Sequence, residues 1–173
     1  MHYVQGEAAL VVTDLLPLLE EFYREKLASV LRHLGAARLV TQYDANNTYQ
    51  YVINREETQL SWVGQAITGL GGDVEAAGQV PERRPTAPGD AAGREIFEED
   101  AREAQAFVDR WRSRVDAMAN ARHRGMLRVI LGETLEQKRF FEQALAGRTD
   151  LLGRRTADAG ARVGSVLPTR WIE

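Results

Sequence analysis

The fold is decided by the stretch GMLRVILGETLEQKRFFEQALA at residues 125–146. On a helical period of 3.6 residues, one face of this stretch collects Met126, Ile130, Glu133, Gln137, Phe140 or Phe141, and Ala144. A carboxylate on such a core-facing surface must be paired, protonated or bound to a metal, because an isolated buried charge is strongly destabilising. Glu133 is therefore the first candidate functional residue.

Length and composition limit the architecture. The 173 residues suit one domain over residues 1–150, followed by an extension over residues 151–173 that we expect to pack on it. The net charge of −3 provides no basic field for nucleic acid, and no apolar run approaches the roughly 18 residues of a membrane span. Cysteine is absent, which rules out thiol chemistry. We expect a cytoplasmic protein with no nucleic-acid or membrane partner.

Apolar residues recur at intervals of three and four along four segments, which predicts an all-α protein. The predicted helices cover residues 14–34, 48–70, 94–122 and 125–146, and residues 36–47 are either a loop or the first turns of the second helix. Pro17 then falls in the first turn of the first helix, where proline is tolerated. The third helix has the most regular apolar seam, which predicts that Trp111 and Met118 lie in the core.

Residues 71–93 form an unusually long connection between the second and third predicted helices. Pro81, Pro85 and Pro88 forbid a continuous helix there. In a helical bundle, a connection of this length is typical of a crossover that runs along the bundle between two parallel helices. The sequence therefore predicts a four-helix bundle with a long crossover between helices two and three and a C-terminal extension.

Each predicted helix carries an acid on or beside its apolar face. In chain order these acids are Glu20 or Glu21, Glu56 or Glu57, Asp100 or Glu103, and Glu133. We expect Glu20, Glu56 and Glu133 to approach one another inside the bundle, because each falls on a face that points to the common axis. They would be neutralised either by a metal or by protons and partners such as Arg, Gln or Tyr.

Two passages resemble the ferritin-like superfamily, which includes ferritins, bacterioferritins and rubrerythrins. They are EETQLSWVGQAITGLGG at residues 56–72, similar to the second helix of that superfamily, and LGETLEQKRFFEQAL at residues 131–145, similar to its fourth. In these families a Glu on the first and third helices and a Glu-x-x-His on the second and fourth bind two iron ions. The resemblance implies a ferritin-like bundle with Glu20, Glu56, Asp100, Glu133 and Glu136 as candidate metal ligands.

The sequence departs from the family pattern at both histidine positions. Gln59 stands three residues after Glu56, and Glu136 stands three residues after Glu133. The three histidines, His2, His33 and His123, are interpreted as surface or helix-end residues. We therefore expect a non-catalytic binding or structural module without a cofactor, forming a homodimer through an exposed apolar helix face. The alternative is a carboxylate-bound metal oxidoreductase or metal-storage protein that uses iron or manganese.

Overall fold

Four α-helices account for most of the residues described by the computed structural model, which are 6–74 and 78–153, with side chains from residue 15 onward. The helices are α1 (Gly6–Ala37), α2 (Tyr43–Gly69), α3 (Asp90–Asp116) and α4 (Ala121–Leu145). No strand occurs in these ranges, so the predicted all-α class is confirmed. None of the described helices combines the length and the apolarity needed to cross a membrane.

The observed helices differ from the predicted ones in where they begin, because a proline and a glycine are accommodated inside helices and a capping residue sets one start. Helix α1 begins at Gly6 rather than near residue 14, so Pro17 lies inside the helix. Helix α4 begins at Ala121, because the Asn120 side chain accepts a hydrogen bond from the His123 amide at 3.0 Å. Gly125 thus lies inside α4, since one glycine weakens a helix by only about 1 kcal/mol and does not end it.

The start of α2 resolves the alternative left open for residues 36–47. The Gln42 side chain accepts a hydrogen bond from the Ala45 amide at 2.5 Å, and the helix begins at Tyr43. Residues 43–47 are therefore the first turns of α2, and residues 38–42 form the loop that joins α1 to α2.

The helices pair as two hairpins, α1 with α2 and α3 with α4. Ion pairs join Glu21 to Arg114 and Arg32 to Asp100, so residue numbers rise along α1 as they fall along α3. Helix α1 is therefore antiparallel to α3 as well as to α2, and α2 and α3 run parallel. The chain must return along the whole bundle between them.

The crossover, residues 70–89, contains no helix among its described residues and lies along α1. A Cβ added to Gly72 would lie 2.6 Å from the Leu16 side chain, and one added to Gly35 would lie 3.0 Å from the Pro81 carbonyl oxygen. The first contact is about a third of the way along α1 and the second is near its end. The predicted long crossover is confirmed.

The bundle core consists of two apolar clusters, one towards each end. The first cluster is built around Phe22, Val63, Trp111 and Ile130, and the second around Tyr49, Ile53, Phe97 and Phe141. Trp111 is fully buried and Met118 is 7% exposed, so the prediction that both lie in the core is confirmed.

The division at residue 150 stays a prediction. Leu151 is buried, and the C-terminal extension from residue 154 onward lies outside the described residues.

Candidate functional site

A layer of polar side chains separates the two apolar clusters. We define this polar layer as Lys26 and His33 of α1, Glu56 and Gln59 of α2, and Thr134 and Gln137 of α4, none of which is more than 4% exposed. Along each of these helices the polar positions fall between the residues of one cluster and those of the other. Helix α3 presents the small, buried Ala104 at this point of its seam.

Glu56 is the centre of the polar layer. Its Oε1 accepts a hydrogen bond from Lys26 Nζ at 2.7 Å, and its Oε2 lies 2.7 Å from His33 Nδ1. An ionised carboxylate only accepts hydrogen bonds, so Nδ1 of His33 carries the proton. Lys26 Nζ also lies 3.4 Å from Thr134 Oγ1, which links α4 to the pair formed by α1 and α2.

The electrostatic balance keeps Glu56 ionised. Burial alone would raise the pKa of its carboxyl group. The positive charges of His33 and Lys26 and their hydrogen bonds outweigh this effect and lower the pKa to about 2. The buried negative charge is thus compensated by side chains of the protein itself.

Three polar atoms of this layer are buried without a hydrogen-bond partner among the described protein atoms. They are His33 Nε2, Gln59 Oε1 and Gln137 Nε2. Buried polar atoms in folded proteins nearly always have partners, so each of these requires an explanation.

Glu133 does not point to the bundle axis as the sequence predicted. Its side chain is 29% exposed and accepts hydrogen bonds from Arg55 Nη2 and Gln59 Nε2, each at 2.5 Å. The inward polar residues of α4 are instead Thr134, which directly follows Glu133, and Gln137. A shift of one residue turns a helical side chain by about 100°, which moves Glu133 to the side of α4 that faces α2.

Asp100 is the second fully buried carboxylate, and it lies with the apolar cluster that contains Tyr49 and Phe97. It accepts hydrogen bonds from the Tyr49 hydroxyl at 2.6 Å, Arg32 Nε at 3.1 Å and Arg83 Nη1 at 3.0 Å. Burial and the negative charge of Asp100 raise the pKa of Tyr49 well above its usual value, so the tyrosine remains a donor.

The remaining predicted acids lie elsewhere. Glu20 is half-buried beside Gly72, and a Cβ added to Gly72 would lie 3.0 Å from the Oε1 atom of Glu20. Glu136 pairs with Arg139 on the outside of α4. The expected convergence of Glu20, Glu56 and Glu133 is therefore not observed. Glu20 precedes Lys26 by six residues, which is about 9 Å along the axis of α1.

The residues of the polar layer do not fit a di-metal centre. Both oxygens of Glu56 are taken by Lys26 and His33, and Glu133 is held by Arg55 and Gln59. Within residues 15–74 and 78–153, no group of three or more His, Cys, Asp or Glu side chains is arranged to hold a metal ion. Each of these carboxylates already has a protein donor in the place where a cation would bind.

Sequence reasoning missed Lys26 and His33, the two residues that neutralise Glu56. His33 was interpreted as a surface or helix-end residue, but it is 2% exposed. The signal was present in the spacing, because Leu19, Phe22, Lys26, Val30 and His33 follow one another at three and four residues.

Comparison of the chain with protein-family models, with curated proteins and with solved structures finds no match. The helix order, the two hairpins and the crossover are compatible with a ferritin-like fold.

Proposed function

We propose that the chain is a ferritin-like bundle that works as a non-catalytic binding or structural module, with a protein cation in place of the metal. The observation that carries this proposal is the Lys26 ammonium group, fully buried and 2.7 Å from Glu56. Lysine is almost never fully buried unless it is paired, so this pair is a specific feature of the core.

Electrostatics argue for the same conclusion. Two unit charges about 4 Å apart interact by about 4 kcal/mol at the effective dielectric constant of about 20 that suits protein sites, and the repulsion doubles for a divalent ion. A divalent metal that bound Glu56 would have to overcome this repulsion from Lys26 and displace its hydrogen bond.

The deciding experiment is metal analysis of protein prepared without chelator, and again after anaerobic addition of ferrous or manganous ion. We expect no stoichiometric metal in the parent protein or in Glu56→Gln. Stoichiometric metal in the parent that is lost in Glu56→Gln would contradict the proposal and support the alternative, a metal oxidoreductase or metal-storage protein.

A matched pair of variants isolates the role of the lysine. Lys26→Gln removes the buried cation, whereas Lys138→Gln removes a partly exposed one that pairs with Glu142 on the same helix. If Lys26 blocks metal binding, only Lys26→Gln gains affinity for a divalent ion. Equal behaviour of the two variants would show that the buried ammonium group does not control access to Glu56.

We further propose that the partner of this module is a second copy of the chain. Tyr51 of α2 and Val129 of α4 are 42% and 50% exposed. The Tyr51 ring packs against Phe140 of α4, and Val129 lies about three helical turns before Phe140 on the same side of α4. A copy related by a two-fold axis would present the same face of α2 and α4 in return. The cytoplasm remains our proposed compartment.

Sedimentation analysis tests this dimer. Val129→Glu places a charge on the proposed interface, and Val74→Glu places the same charge on an exposed valine of the crossover. We expect a concentration-dependent dimer for the parent and for Val74→Glu, and a monomer for Val129→Glu. A parent protein that stays monomeric at every concentration would rule out the homodimer and leave the metal experiment unaffected.

A further inference from the structure

An apolar groove of about 360 Å³ lies at the end of the bundle where the chain turns from α3 into α4. Its apolar lining comes from Leu15 and Leu18 of α1 and from Ala117, Met118 and Ala119 of the turn. We call it the end groove. An open apolar groove on a protein surface is typical of a site that another segment covers.

The polar residues of the end groove are already bound by the chain itself. Arg114 pairs with Glu21 at 2.5 Å, and the Asn120 side chain caps α4. A second groove, the crossover groove, lies beside the start of the crossover and is lined in part by Glu57 and Ser61. An apolar segment over the crossover groove would remove the Glu57 carboxylate from water, which is costly. The end groove is therefore the more favourable surface for apolar side chains.

The chain beyond the described residues is long enough to reach the end groove. Helix α4 starts beside this groove and ends at Leu145, where Arg94 at the start of α3 donates to its carbonyl oxygen at 3.0 Å. The 25 residues of α4 span about 37 Å. An extended chain covers about 3.3 Å per residue, so about eleven residues beyond Gly153 return along the bundle. Residues 165–173 can then lie at the end groove.

The composition of the chain after Gly153 changes at the same point. Residues 154–164, RRTADAGARVG, are mostly small or charged. Residues 165–173, SVLPTRWIE, bring together Val166, Leu167, Trp171 and Ile172. Small, polar, glycine-containing sequence is typical of a linker, and a large aromatic side chain is typical of an anchor in a pocket.

We propose that residues 165–173 dock in the end groove of their own chain, with Trp171 as the anchor. Residues 1–5 fit the groove less well. Because α1 is continuous from Gly6, it carries them about 14 Å beyond Leu15, and they would have to double back along nearly their whole length. A segment tied to its own groove has an effective concentration of about millimolar, which favours it over the same segment of a second copy.

Engineered disulfides test the docking. The sequence has no cysteine, so two introduced cysteines report on one contact. Ala119→Cys with Thr169→Cys joins the end groove to the docked segment, and Ser61→Cys with Thr169→Cys is the matched control in the crossover groove. In a glutathione redox buffer, we expect an intramolecular disulfide to form at least about tenfold faster in the first pair. Equal rates, or disulfides mainly between two chains, would overturn the proposal.

Quenching of tryptophan fluorescence by acrylamide tests the anchor. Of the three tryptophans, Trp111 is fully buried, so in a Trp62→Phe background the quenching reports on Trp171. We expect Trp171 to be protected in this background and in Ser61→Arg, and to be quenched several-fold more strongly in Ala119→Arg. Ser61 and Ala119 are both exposed, so neither change disturbs the core.

A Trp171 that is quenched like free tryptophan before any charge is added would overturn the proposal, as would equal quenching in the two arginine variants. Neither measurement involves a metal or the proposed dimer face. A negative result here therefore leaves the proposed function unaffected.

Discussion

Glu56 and Asp100 are both fully buried carboxylates, but their partners come from different parts of the fold. Glu56 is bound by Lys26 and His33, which both come from the neighbouring helix α1. Asp100 is bound by Tyr49 of α2, by Arg32 of α1 and by Arg83 of the crossover. The first site belongs to the middle of the bundle, and the second joins three helices to the crossover.

The hydrogen-bond partners of the two carboxylates indicate different structural roles. Asp100 accepts from three residues, and it fixes the crossover against the bundle because Arg83 also binds Glu99. The layer around Glu56 instead joins α1, α2 and α4 to one another through Lys26, His33 and Thr134. The Asp100 site therefore holds the crossover in place, whereas the polar layer holds three helices together at the middle of the bundle.

The largest expected effect follows from removing the buried lysine. Lys26→Met leaves the Glu56 carboxylate without its ammonium partner, and we expect the free energy of unfolding to fall by about 3–5 kcal/mol in denaturant titrations. Adding Glu56→Gln to that variant should restore most of the loss, because the uncompensated charge is gone while His33 keeps an acceptor. Lys138→Met serves as the control, with an expected change below about 0.5 kcal/mol. An equal loss in the single and double variants would show that packing, and not charge, holds this layer.

Acidification should separate Glu56 from the other acids. Its pKa in the folded protein is about 2 against an ordinary 4.5, so the folded state binds this proton more weakly than the unfolded state does. The stabilisation is present in full above pH 4.5 and is lost as the pH falls from 4.5 towards 2, up to about 3 kcal/mol.

Unfolding free energies measured across this pH range should fall more steeply for the parent than for Glu56→Gln. Gln143→Met, which changes a half-buried amide of α4 and no acid, provides the control and should keep the slope of the parent. Identical slopes in all three proteins would remove Glu56 from the account of acid stability.

Asp100→Asn should act on the crossover more than on the bundle centre. Charged hydrogen bonds from Arg83 and Arg32 are weakened, and we expect a loss of about 2 kcal/mol. Trypsin should cut after Arg83 faster in Asp100→Asn than in Lys26→Met when the two are compared at equal overall stability, whereas the bond between Arg84 and Pro85 resists trypsin in both. Equal cleavage rates would show that Asp100 does not anchor the crossover to the bundle.

The smallest effect is expected at the edge of the polar layer. Thr134→Val removes the 3.4 Å contact to Lys26 and a 2.9 Å bond to the Ile130 carbonyl oxygen. Thr48→Val removes the same kind of 2.9 Å bond, to the Asp44 carbonyl oxygen, from a threonine that is equally buried and does not contact Lys26. The difference between their unfolding free energies should stay below about 1 kcal/mol and measures the lysine contact alone. A larger difference would make Thr134 a principal partner of Lys26.

Much of the architecture was accessible from local pattern. The seam of α3 is apolar at every third or fourth residue, and the prolines of the crossover exclude helix, so both features are encoded within short segments. Periodicity did not decide whether Phe140 or Phe141 faces the core. Glu133 lies seven residues before Phe140, so its predicted inward orientation required Phe140 to be the inward residue. Phe141 is the buried residue, at 1% exposure, and this rotation brings Thr134 to the axis.

The candidate site was less accessible because its members come from three helices. Periodicity ranks positions by hydrophobicity, so Lys26 and His33 were left out of an inward face to which their spacing assigns them. Their burial depends on Glu56, thirty residues from Lys26 along the chain, and no local pattern reveals that partnership. The acids were recognised, whereas the cations that neutralise them required the assembled bundle.

The enclosure of Lys26 gives the protein a built-in chemical reporter of its own opening. The sequence contains two lysines, Lys26 and Lys138, and the first has no exposed surface while the second lies at the surface of α4. An amine-reactive reagent should therefore acylate Lys138 in the native protein and reach Lys26 only when the helices separate. Mass spectrometry of the modified peptides would then give the fraction of molecules that have opened at each time, without any engineered label.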